Sequence, residues 1–312
     1  MPEPTNVPLS PSSDTHARTT PKILAPFFWI AAHAPTVASA CRPLAARVVP
    51  LVSASVRRGT RFNAARIFGR RLDAREQAAF TRGVVSSFYR FIVDVAQTCR
   101  GTRDDLLARV AHVEGEPGYR AARSGQRGAV LITAHMGSFE AGLGALSRVE
   151  RRIHVVFKRD ASGPFESMRS RLRRTLGVCE VPIDDGLSSW LSLRDALLSD
   201  EVVVMQADRA FPGQRSEVVP FLHGHLRIPT GPARLARMTG SPIIPVFTVR
   251  EPSGGFAVYL HPPISADASH SPSELPDPAI LLIARAIESM VAKYPDQWLA
   301  LVPVFEEDAK RA

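Results

Sequence analysis

Apolar residues along the chain fall into two rhythms. From residue 128 onward, short unbroken runs of aliphatic residues alternate with longer stretches in which apolar positions recur at helical spacing. The runs at 129–133, 152–157, 181–183, 201–206, 243–249 and 256–260 predict strands. The stretches at 139–147, 165–176, 187–198, 233–238 and 277–293 predict helices. Run 201–206 (Glu-Val-Val-Val-Met-Gln) shows no in-out alternation, which marks a central strand covered on both faces. Segments 218–222 and 226–228 flank His223-Gly224-His225 as a small hairpin. Thr230 precedes Gly231-Pro232 as a helix cap, with the proline acceptable in the first turn. Together these elements predict a mixed, mainly parallel α/β domain over 119–306, with antiparallel edges.

The N-terminal third follows another pattern. Residues 1–21 are rich in Pro, Ser and Thr and read as a disordered tail. Over 22–118 the pattern is helical. Segment 23–56 is broken by Pro26, Pro35, Pro43 and Pro50 into what reads as short surface helices, and 57–118 reads as mostly helical, with Phe80, Val84, Phe88, Phe91 and Val95 near helical spacing. A short tail follows at 307–312.

Charge sharpens this division. Of the 312 residues, 39 are basic and 30 acidic, for a formal net charge of +9. No acid occurs between Asp14 and Asp73, whereas Arg42, Arg47, Arg57, Arg58, Arg61, Arg66, Arg70 and Arg71 fall there among apolar residues such as Trp29, Val48, Leu51 and Val52. That mixture suits an anionic lipid surface, and also a basic solvated helix face. No stretch reaches the ~18 continuous apolar residues of a membrane span, and 1–18 lacks the order of a secretory signal. Zinc-finger and RNP patterns are missing and aromatic residues are not interleaved with the basic ones of the arginine-rich helix 165–176, so nucleic acid is not expected as a partner. Cys41, Cys99 and Cys179 form no ligand spacing, and His223 and His225 have no third partner, so no metal site is expected.

Candidate chemistry centres on the end of the first core strand. His135 follows the run 129–133, Gly137-Ser138 turn the chain, and Glu140 opens the next helix. An imidazole at a strand end can take a proton from a hydroxyl, and a carboxylate beside it can hold its tautomer. Each group also has a plainer reading: His135 as a strand cap, Glu140 as a carboxylate at a helix N-terminus, Asp208 as an Asx turn. His135 and Asp208 both follow strands whose C-terminal ends would share one sheet edge, where open α/β folds hold ligands. On the helix 165–176, Phe165, Met168, Leu172 and Leu176 form an apolar stripe, and Arg169, Arg171, Arg173 and Arg174 occupy the other faces as a solvated surface or an anion-holding one. No G-x-S-x-G elbow, P-loop or dinucleotide turn occurs.

Four blocks in order resemble the bacterial lipid A biosynthesis lauroyl/myristoyl acyltransferases and their relatives, including phosphatidylinositol mannoside acyltransferases, within the wider lysophospholipid acyltransferase group. They are Ala134-His135-Met136-Gly137-Ser138-Phe139-Glu140; Val204-Met205-Gln206-Ala207-Asp208-Arg209 with Val218-Val219-Pro220-Phe221; Thr230-Gly231-Pro232-Ala233-Arg234-Leu235-Ala236 with Gly240-Ser241-Pro242; and Tyr294-Pro295-Asp296-Gln297-Trp298. The similarity spans about 61–305.

The resemblance implies a glycerolipid-acyltransferase-like fold with N-terminal interfacial helices, attached peripherally or monotopically to anionic lipids on the cytoplasmic face of the inner membrane. It implies transfer of a fatty acyl group from an acyl carrier protein or coenzyme A thioester, as co-substrate with no further cofactor, to a hydroxyl of a lipid A precursor-like acceptor. His135 would be the general base and Glu140 its orienter, with an oxyanion donor from the amide after Gly137 or from the arginine helix. Arg173, with Arg169 and Arg171 as alternatives, would position substrate. Asp208 would be the second acidic position, Thr230 would stand with Gly137 in the substrate-binding set, and the pair Arg61 and Asn63 would be structural. Leu299 to Phe305 and Arg209-Ala210 depart from the lipid A enzymes, which leaves another glycolipid, an aminolipid or a polyketide-type lipid as acceptors. A thioester hydrolase and a catalytically silent membrane-associated interaction protein are the rival readings.

Overall fold

The computed structural model describes residues 29–31, 33–98, 103–125, 127–158, 163–211, 213–271 and 275–309. The tail expected over 1–21, the apolar residues Ile23 to Phe28 and Cys99 lie outside them, as do the side chains of Phe165 and Met168 in the expected stripe.

Helices dominate up to residue 108: α1 (Pro35–Val52), α2 (Ala54–Phe68), α3 (Ala74–Thr98) and α4 (Arg103–Ala108). The expected series of short segments is replaced after Pro35 by one helix, α1, that runs through Pro43 and Pro50. Each proline removes one backbone N–H, a loss tolerated here because α1 packs along α3; the Tyr89 hydroxyl of α3 also donates to the Ala38 carbonyl of α1 at 2.6 Å. The chain then bends by 94° into α2, where the Ser53 hydroxyl accepts from the Val56 amide at 3.3 Å. Asp73 and Glu76 form a reciprocal capping box at the start of α3, with N···O distances of 3.0 and 2.8 Å. Asn63 donates to the carbonyls of Ala300 and Val302 and accepts from the Val304 amide, stitching α2 to the C-terminal segment.

The expected helix through 118 gives way to β1 (Val110–Glu114), followed by α5 (Glu116–Arg123). Then come β2 (Ala129–Thr133), α6 (Phe139–Leu146), β3 (Ile153–Phe157), α7 (Gly163–Thr175), β4 (Cys179–Pro182), α8 (Leu187–Leu198), β5 (Val202–Gln206), the antiparallel hairpin β6 (Ser216–Phe221) and β7 (Gly224–Pro229), α9 (Gly231–Thr239), β8 (Ile243–Arg250), β9 (Phe256–Leu260), α10 (Pro278–Lys293) and the short α11 (Glu306–Ala309), which stands in part of the expected tail. The main sheet has seven strands in the order β1-β9-β8-β2-β5-β3-β4, parallel except for the β8/β9 pair.

Both faces of the sheet are covered, which is why its strands read as continuous apolar runs. Val130, Ile132, Val203 and Met205 face a layer built from α8, α9 and α10. Ala129, Leu131, Val202 and Val204 face the other layer, with residues of α6 and α7 and Val95 of α3. Burying each such aliphatic side chain contributes about 1.5–3 kcal/mol. The result holds β2 and β5 side by side, with Thr133 opposite Gln206.

Candidate active site

β2 and β5 end level with each other, so the residues just beyond them meet. The Ala207 amide donates to the Thr133 carbonyl at 2.9 Å, which carries the neighbour pairing one residue past the strands. Asp208 then lies beside His135. Its Oδ1 accepts from the His135 amide at 3.1 Å and from Nδ1 at 2.7 Å. Its Oδ2 accepts from Arg209 Nε at 3.1 Å, Arg209 Nη2 at 2.8 Å and Trp298 Nε1 at 2.8 Å. Asp208 is fully buried. Burial pushes its carboxyl up, but the Arg209 guanidinium and the donors from His135 and Trp298 outweigh burial and hold it well below the usual carboxylate range.

The His135 side chain is 29% exposed and lines a cavity of about 470 Å³. With Nδ1–H committed to Asp208, Nε2 is the nitrogen left for a reactant. Burial lowers the imidazole pKa, and Arg209 and Arg169 lower it further while the Asp208 charge pulls the other way. The resting ring is therefore neutral with its lone pair on Nε2, the form a general base requires.

Glu140 does not orient His135. It sits buried in the first turn of α6, makes no hydrogen bond or ion pair to the imidazole, and instead has Arg169 Nε 3.5 Å from its Oε1. Burial pushes its pKa up, against the pull of Arg169 and Arg173. The sequence spacing that suggested the pairing fails because α6 turns Glu140 toward α7, whereas Asp208 arrives from the adjacent strand. Of the three arginines considered for substrate, Arg169 lines the cavity and lies over the Phe139 ring at 5.8 Å. Arg173 is buried, donates to Glu180 at 2.7 Å and packs over Phe157 at 4.7 Å. Arg171 is exposed on the far side.

Gly137 takes φ +53°, and a Cβ there would stand 2.1 Å from the Thr248 carbonyl oxygen. Its amide donates to the Gln297 carbonyl at 3.0 Å and the Ser138 amide to Thr248 at 3.3 Å. Both are therefore engaged in holding the loop, and the amide after Gly137 is not available as an oxyanion donor. Thr230 makes no cap; its hydroxyl donates to the Arg215 carbonyl at 3.3 Å, and it lines a neighbouring cavity of about 350 Å³.

Trp298 and Arg209 are contributors that sequence reasoning missed in these roles. The signal for Trp298 lay in the block 294–298, whose backbone laces to the histidine loop: the Leu299 amide donates to the His135 carbonyl at 2.8 Å, and Met136 bridges Trp298. Among the described residues no group of His, Cys, Asp or Glu is arranged to hold a metal ion. His225 is bound to Glu307 at 2.8 Å instead.

Residues 16–307 match the family model described as bacterial lipid A biosynthesis acyltransferase. No curated protein matches the sequence.

Proposed function

Since the chain belongs to the bacterial lipid A biosynthesis acyltransferase family, we propose that it moves a fatty acyl group from an acyl carrier protein or coenzyme A thioester to a hydroxyl of a membrane glycolipid. The observation that carries this reading is the His135 ring, fixed through Nδ1 by Asp208 at 2.7 Å with its other nitrogen left to a cavity.

In this reading, Nε2 takes the acceptor hydroxyl proton as the oxygen attacks the thioester carbonyl. Asp208, already ionised, stabilises the imidazolium that forms. Collapse of the tetrahedral intermediate breaks the C–S bond, and the imidazolium returns the proton to the leaving thiolate. The products are a lipid ester and the free carrier thiol. We assign stabilisation of the oxyanion to Arg169, which Glu140 and the Phe139 ring hold at the cavity. Phe139, Val155, Val156, Phe157, Val204 and Met205 supply an apolar wall for the first part of the acyl chain, each buried methylene adding about 0.8 kcal/mol.

Attachment to the cytoplasmic face of an inner membrane rich in anionic lipid belongs to the same proposal. Val37, Leu44, Val48 and Leu51 recur at helical spacing along α1 and are exposed, and Arg47, Arg57, Arg58 and Arg61 flank them. No single helix among the described residues is long and apolar enough to cross a membrane; the bent pair α1 and α2 passes that test by length and composition only.

The test is a purified-protein assay with an acyl thioester and an inner-membrane lipid extract, following free thiol and esterified lipid by mass spectrometry. Wild type should form the ester and His135→Ala should not. Release of free fatty acid at the same rate with and without lipid would make the protein a hydrolase, and the absence of thiol release would make it a silent scaffold.

A further inference from the structure

Beside the reaction cavity lies the second one, of about 350 Å³, which shares Lys158, Ile183, Phe211 and Gln214 with it. The two adjoin along these four residues, so the annex lies next to the place where a reactant meets His135. Its polar lining is strongly one-sided. Among the described residues, Lys158, Arg215 and Arg234 supply three cations, all on exposed residues, against the single carboxylate of Asp184. Trp190 and the first turn of α9, at Thr230 and Gly231, complete it, and the positive end of that helix adds to the field. The acyl-transfer chemistry at His135 uses none of Arg215, Arg234 or Trp190.

We propose that the annex is a phosphate-ester subsite, and that the phosphate belongs to the carrier of the acyl donor. The proposal rests on the acyl-transfer reading. Arginine and lysine around a pocket with an aromatic wall are the groups that recognise phosphate joined to a larger organic moiety. The donor is favoured over the acceptor by position. Every described lining residue of the annex comes from the α/β core, and none from α1, α2 or α3, where the exposed apolar side chains of α1 lie. In this proposal a water-borne carrier enters from the core side, with its phosphate in the annex and its thioester beside His135.

The experiment compares two thioesters of the same acyl chain, one on coenzyme A and one on phosphate-free N-acetylcysteamine, in the full-length protein carrying Arg215→Gln, Arg234→Gln or both. The KM for the coenzyme A thioester should rise about tenfold relative to that for the phosphate-free thioester, the scale of a lost hydrogen bond to a charged group. Calorimetric titration with free coenzyme A should show a matching loss. Equal KM changes for both thioesters would overturn the proposal. A rise confined to the acceptor lipid's KM would place the phosphate on the acceptor and overturn the donor assignment. Coenzyme A binding that depends on Arg215 and Arg234, in a protein that forms no lipid ester, would sustain the annex while removing the acyl-transfer reading.

Discussion

Replacing Asp208 with Asn tests the pairing at the centre of the site. The carboxylate accepts from five N–H groups, two of His135 on Oδ1 and three of Arg209 and Trp298 on Oδ2. An amide has one oxygen, so it can serve one side only. The side with three donors, two of them on the charged guanidinium, takes it, and the NH₂ group then faces His135. Nδ1 must accept that hydrogen bond, so the ring proton moves to Nε2 and the reactive lone pair is lost. The expected fall in kcat is about 10² to 10⁴-fold, the whole value of a general base. Stability suffers less: Arg209 keeps the amide oxygen and, being 24% exposed, draws on water, so the cost is about 1–3 kcal/mol and not the ~3–5 of breaking a fully buried pair. Removing the Asp208 charge also removes its upward pull on the His135 pKa, so any residual activity should keep its acid limb at lower pH than wild type. Thiol release at saturating donor, a pH profile and urea unfolding measure the three quantities. A variant that unfolds more easily yet turns over at the wild-type rate with an unmoved acid limb would refute the reasoning and leave Asp208 a structural residue.

Four further outcomes are expected. Wild-type turnover should fall on acidification only below the ordinary imidazole range near pH 6.5, because burial lowers the His135 pKa. Arg209→Gln should move that limb to higher pH, since its guanidinium also lowers the pKa; kcat against pH reads both. Gly137→Ala should cost about 1–2 kcal/mol for the left-handed backbone alone and more for the clash with the Thr248 carbonyl, seen as a lower Tm together with reduced turnover. Leu51→Glu with Val52→Glu, at side chains 75% and 76% exposed, should release the protein from anionic vesicles in a flotation assay while leaving Tm unchanged.

Much of the core was readable from composition because the sheet is buried on both faces. Runs such as 202–206, short and rich in branched residues, are what a strand covered on both faces requires. What sequence could not supply was strand order. β2 is followed in the chain by β3 but lies between β5 and β8, so the carboxylate nearest His135 in sequence, Glu140, lost to one 73 residues away. The same blindness hid the donor from Trp298. β1 was missed because four of its five residues are exposed, giving no apolar rhythm to detect. α1 was misread because local proline rules took no account of the packing against α3 that holds it together.

The register between β2 and β5 is held by their parallel backbone pairing from Ala129 opposite Val202 to Thr133 opposite Gln206. Because a hydrogen-bonded ladder sets the separation of acid and base, the excursion between them, from α6 through α8, can gain or lose residues without disturbing their spacing. That excursion carries Arg169 and part of the cavity wall, so in the proposed reaction preference for one acyl chain or carrier can drift through its insertions and deletions while proton transfer stays as it was.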